Sequence, residues 1–149
     1  GPKKKLMQIN NLMQSYAKNI VHIGPSGHGQ LTKMVNQLCI SSLIQGLSEG
    51  VSLGKKSNLN MTKVLDAISG GAAQSWQMDN RFKTMVNGEF DFGFAVDLMI
   101  KDLKIAIDHS KDLGIQLSST KSVLQSYKKL STLGDGQLDT SSLIKLLEN

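Results

Sequence analysis

The stretch from Gly24 to Leu53, GPSGHGQLTKMVNQLCISSLIQGLSEGVSL, leaves few folds open to a chain of 149 residues. A glycine-rich turn opens it. Leu31, Met34, Val35, Leu38, Ile40, Leu43, Ile44, Leu47, Val51 and Leu53 then cover nearly every side of a helix. A helix that is apolar all round belongs inside a larger body rather than on its surface. Ser41, Ser42, Gly46 and Gly50 are small enough to let neighbouring helices come close. The expectation is one long buried helix with others wrapped around it. Lys33, Asn36 and Gln37 follow the turn at spacings of three and four, which puts them on one face near the N-terminal end. Taken by spacing alone, this cluster reads most simply as the solvated first turns of the helix.

The flanking segments read as helices with one exception. Leu6, Ile9, Met13 and Tyr16 make a single stripe over residues 3–19. Ile20-Val21-His22-Ile23 is a short β-type run, yet no other segment can pair with it. It is expected to be a strand whose sheet was cut away upstream, and Gly1-Pro2 reads as a cleavage scar. After Gly54–Asn58 ends the central helix, Asn60 can cap MTKVLDAIS, and Gly70-Gly71 breaks that helix. Further helices are expected from Trp76 to Val86, stopped by Asn87-Gly88, and from Ala95 to Leu113, with Gly114 as C-cap. Phe90, Phe92 and Phe94 form an aromatic cluster between them that should pack on the core. Ser118 or Ser119 opens the next helix, which ends near Gly134, and Asp139 caps a final short one. The fold class is therefore all-α: a helical bundle around one long buried helix, with an N-terminal helix–strand remnant. The boundaries are 1–23 for the remnant and 24–149 for the helical domain.

Several functions are disfavoured by composition and spacing. The net charge is +5, but the lysines are dispersed and Arg81 is the single arginine, so no nucleic-acid partner is expected. Apolar runs are broken by Gln, Ser, Glu and Lys, so no membrane span is readable. The one cysteine, Cys39, cannot form an intrachain disulfide, which fits a reducing, cytoplasmic setting. His22, His28 and His109 lack metal-ligand spacing, so no metal is expected. The strand–glycine loop–helix order around Gly24 and Gly29 imitates a phosphate-binding loop. Gln30-Leu31 stands where that loop needs Lys-Ser or Lys-Thr, and no G-x-G-x-x-G follows. Lys101, in IKDLKIAIDHSKDLG, is most simply paired with Asp97 four residues back.

Five segments in order change that reading. GHGQLTKMVNQ (27–37), SEG (48–50), SGGAAQSW (69–76), FGFAVDLMIKDLKIA (92–106) and GDGQLDTSSLI (134–144) together resemble the C-terminal domain of the β-hydroxyacid dehydrogenases. That family includes 3-hydroxyisobutyrate dehydrogenase and tartronate semialdehyde reductase. The resemblance implies that Lys33 is the catalytic residue, that Asn36 and Gln37 bind substrate, and that Lys101 reaches the cofactor. Gln37, where many members have Asn, looks like the tartronate semialdehyde reductase branch. The implied cofactor is NAD or NADP and the implied substrate a small 3-hydroxy acid or its semialdehyde. The implied assembly is a homo-oligomer, either a dimer or a swapped dimer. On this reading residues 3–23 are the last helix and strand of a truncated Rossmann domain, and the chain alone is an inactive fragment. A helical binding module without catalysis and an imine reductase-like relative are the alternatives.

Overall fold

The computed structural model describes residues 1–148, and among them every regular element is helical. In chain order these are α1 (Lys3–Gln14), α2 (His28–Lys56), α3 (Met61–Ile68), α4 (Trp76–Asn87), α5 (Val96–Asp112), α6 (Ser118–Leu130) and the short α7 (Lys145–Glu148). A π turn (Ser131–Asp135) follows α6, and a 3-10 turn (Thr140–Ile144) precedes α7. The expected strand at residues 20–23 does not form. A strand exists only as part of a ladder, and the bridge recorded outside the helices joins Ala95 to Asp139 instead. The chain divides into two units, Gly1–Asn36 and the remainder from Gln37.

The first unit holds α1, an irregular segment and the opening turns of α2. Gly24 has φ +152°, and a Cβ there would meet the His28 imidazole at 2.7 Å from Nδ1. Glycine is thus required for this entry into α2. The helix begins at His28, so Lys33, Asn36 and Gln37 stand in its second and third turns.

In the second unit, α2 buries a stripe rather than its whole circumference. Gln37, Ser41, Ile44, Ser48 and Val51 lie in the core at alternating spacings of four and three. The Ser41 and Ser48 hydroxyls donate to the Leu38 and Ile44 carbonyls at 3.0 and 2.8 Å, so neither brings an unmet polar group into the core. Leu43 and Leu53 are exposed on other faces. The all-round apolar pattern therefore correctly marks the helix but overstates how much of it this chain covers.

The helix boundaries follow local chemistry. Asn60 caps α3 by accepting from Lys63 N–H at 3.1 Å, and Ser75 caps α4 by accepting from Met78 N–H at 3.1 Å. Gly88 closes α4 in the left-handed region at φ +74°. Ser118 opens α6 as expected, and Leu117 occupies the cap position without a side-chain bond. The core joins Ile44 and Val51 of α2 to Met78, Phe82 and Met85 of α4. Val96, Met99, Leu103 and Ile107 of α5, Val123, Leu124, Tyr127 and Leu130 of α6, and Leu143 and Ile144 complete it. Of the aromatic loop, Phe90 is in that core and Phe94 packs against it, whereas Phe92 turns outward over Arg81, 4.9 Å from its ring centroid.

Candidate functional site

Three of the four expected site residues lie on α2. Lys33 and Asn36 are exposed on α2 within the first unit, and Gln37 opens the second. Gln37 is only 5% exposed. Its carboxamide Nε2 donates to Oδ2 of Asp102 on α5 at 2.9 Å, across 65 residues of sequence. A carboxylate only accepts, so the amide end must face it.

Lys101 is half open to solvent and forms an ion pair with Oδ1 of Asp102 at 3.2 Å. The simple pairing of Lys101 with Asp97 is not found. Asp97 instead accepts from the Ser131 hydroxyl at 2.6 Å and from Gln137 Nε2 at 3.4 Å, which ties the start of α5 to the turn after α6. Gln37, Asp102 and Lys101 thus form one connected group within the second unit.

Asp102 was not singled out from sequence. Beside Lys101 and Lys104 it looks like one charge of a solvated face. Its position relative to Met99 and Ala106, three residues after one and four before the other, puts it on the buried side of α5. A buried carboxylate has to be paired or hydrogen-bonded, so its helical phase was the available signal that a partner existed.

A second buried carboxylate organises the far end of α4. Asp139 is 1% exposed and receives five bonds: from Arg81 Nε at 3.0 Å and Nη2 at 3.4 Å, Phe94 N–H at 2.9 Å, Ser141 N–H at 3.0 Å and the Ser141 hydroxyl at 2.6 Å. The Arg81 guanidinium also lies 5.1 Å from the Trp76 ring centroid. Every oxygen of Asp139 is occupied from within the fold, which makes this a structural joint. Among the described residues no three His, Cys, Asp or Glu side chains converge as a metal site, and no helix is long and apolar enough to cross a membrane.

Known proteins share this sequence pattern and fold. Residues 27–147 match the family described as NAD-binding of NADP-dependent 3-hydroxyisobutyrate dehydrogenase. An uncharacterised oxidoreductase of Shewanella frigidimarina is 46% identical over 148 residues, 99% of this chain and 51% of that protein. The 2-hydroxy-3-oxopropionate reductase of Escherichia coli is 29% identical, again over 99% of this chain and 51% of that protein. The crystal structure of a 3-hydroxyisobutyrate dehydrogenase from Salmonella typhimurium superposes with a TM-score of 0.89 at 26% identity, covering 98% of this chain and 52% of that one. The chain spans about half the length of the curated relatives it matches. With the family match running through Lys33, Asn36, Gln37 and Lys101, the chain belongs to the β-hydroxyacid dehydrogenase family.

Proposed function

We propose that this chain is the helical substrate-side domain of an NAD(P)-dependent 3-hydroxyacid dehydrogenase that interconverts a small 3-hydroxy acid and its semialdehyde. The observation that carries the reading is the group of Gln37, Asp102 and Lys101, whose members all fall inside the matched family segment.

The residues present fit one end of a nicotinamide cofactor. Lys101 offers a solvent-accessible cation held by a buried carboxylate, whereas the loop at Gly24–Gly29 lacks the lysine and hydroxyl that cradle phosphates. The nucleotide's phosphates are therefore left to a dinucleotide-binding domain, of which residues 3–23 are the trailing part in this reading. The cofactor, when bound, supplies or accepts the hydride. Reduction of the semialdehyde builds negative charge on the carbonyl oxygen. Lys33 as an ammonium donates a hydrogen bond to that oxygen and then its proton; in the reverse direction it takes the proton from the alcohol. Asn36, one turn further along the same face, orients the substrate.

Association with a second copy belongs to the same reading. The uncovered side of α2 carries Leu43 next to Gly46 and Gly50, and these line an apolar groove of about 500 Å³ with Val64, Ile68 and Phe82. Such a surface favours assembly. A cytoplasmic location agrees with the unpaired Cys39.

Lys33→Met in the intact enzyme tests the central claim, since it keeps side-chain length and removes the proton. The expected result is a fall in kcat of about 10²–10⁴ with cofactor affinity and thermal stability little changed. Unaltered turnover would reject Lys33 as the proton donor.

A further inference from the structure

Asp102 is 1% exposed, and Gln37 and Lys101 are among the groups that meet it. Gln37 Nε2 donates to one carboxylate oxygen at 2.9 Å, and the Lys101 ammonium lies 3.2 Å from the other. Lys101 and Asp102 are neighbours on α5, so their side chains leave the helix about 100° apart. Their pairing is not imposed by the backbone. It requires the carboxylate to be turned so that Oδ1 faces back toward Lys101, and the bond at Oδ2 fixes that rotation.

We propose that Gln37 is a positioning residue: it orients the Asp102 carboxylate, which in turn orients the Lys101 ammonium. This rests on the reading of Lys101 as the cofactor-side lysine. Gln37 then governs the cofactor end of the site from beneath and makes no contact with substrate. Its 5% exposure agrees with that role. So does its length. Asparagine at this position withdraws the amide by about one C–C bond, roughly 1.5 Å, which takes a 2.9 Å contact out of hydrogen-bonding range. The extra methylene of Gln37 thus serves reach to Asp102.

Two measurements test the wiring. The first uses the chain itself and needs no activity: the Lys101 side-chain carbon and proton resonances are followed by NMR in the unaltered protein, in Gln37→Leu and in Asp102→Asn. Both variants are expected to move the Lys101 resonances in the same direction. Resonances that stay in place in folded Gln37→Leu overturn the proposal.

The second uses the intact dehydrogenase, with nucleotide and hydroxy acid varied separately. Gln37→Asn and Gln37→Leu are expected to raise the KM for nucleotide about fivefold or more while the KM for hydroxy acid stays within about twofold. The double variant Gln37→Glu, Asp102→Asn restores a donor facing an acceptor with one negative charge, and it should recover part of what Gln37→Glu loses. A rise confined to the hydroxy-acid KM makes Gln37 a substrate contact and overturns the proposal, as does no change in either constant. An unaltered enzyme that turns over no hydroxy acid rejects the dehydrogenase reading, and the NMR measurement then decides the wiring alone.

Discussion

Asp139→Asn changes one atom and should cost this domain a large part of its stability. In the native fold both carboxylate oxygens are surrounded by donors. Oδ1 takes Arg81 Nε, Ser141 N–H and the Ser141 hydroxyl; Oδ2 takes Phe94 N–H and Arg81 Nη2. Asparagine turns one of the two positions into a donor facing donors. It also leaves the Arg81 guanidinium, itself largely covered, without its counter-charge. Breaking one partner of a buried ion pair costs about 3–5 kcal/mol, whereas the oxygen that asparagine keeps can still cap the following turn. The stacking of Arg81 between Trp76 and Phe92 survives the change, so about 4 kcal/mol is the reasonable figure. For a domain of this length each kcal/mol moves Tm by roughly 2–4 °C, so the expected loss is about 8–16 °C. Differential scanning calorimetry of the two proteins at neutral pH measures it directly. A loss below about 3 °C, near 1 kcal/mol, would refute the view of Asp139 as the joint between α4 and the C-terminal turn.

Two further outcomes follow from the same region. Burial, with a smaller push from the Asp139 charge, drives the Tyr127 phenol far above its ordinary value of 10.0; Thr140 offsets a part without meeting hydrogen-bond geometry. Below that ordinary value both folded and unfolded states keep the proton. Above it the unfolded chain ionises first, so stability should fall by about 1.4 kcal/mol per pH unit. Tyr127→Phe should flatten this part of the decline in Tm between pH 10 and 12 and leave the neutral-pH Tm equal or higher, as circular dichroism melts would reveal. Gly93 has φ +77°, and a Cβ there would run into the Asp139 carboxylate and come within 3.0 Å of Arg81 Nη2. Gly88 has a similar φ of +74° with open space around it. Gly93→Ala should therefore destabilise by at least ~2 kcal/mol more than Gly88→Ala in paired denaturant titrations.

The parts of this fold that could be read from sequence are those set by local chemistry. Asn60, Gly88 and Asp139 each end or begin a helix where their side-chain oxygen or missing Cβ predicts. The register of Lys33, Asn36 and Gln37 needs only the helical period. What could not be read depends on partners elsewhere in the chain. Residues 20–23 have strand composition but no strand to pair with. The apolar faces of α2 declare that they need cover without naming what covers them, and here Leu43 and Leu53 stay open. Asp102 has the surroundings of a surface charge, and its burial is fixed by a glutamine 65 residues upstream.

The Asp139 joint also has a consequence for synthesis. Its donors come from positions 81, 94 and 141, so α4, complete at Asn87, waits about fifty residues of translation while its arginine has no carboxylate to hold. At a synthesis rate of about 5–20 residues per second, that interval is about 3–10 seconds. During it, Trp76, Phe82 and Met85 lack the turn that later packs on their helix. Residues 139 and 141 thus complete what Arg81 and Phe94 begin. A product that stops shortly before Asp139 would behave as an unfinished fold, exposed to aggregation and to quality control.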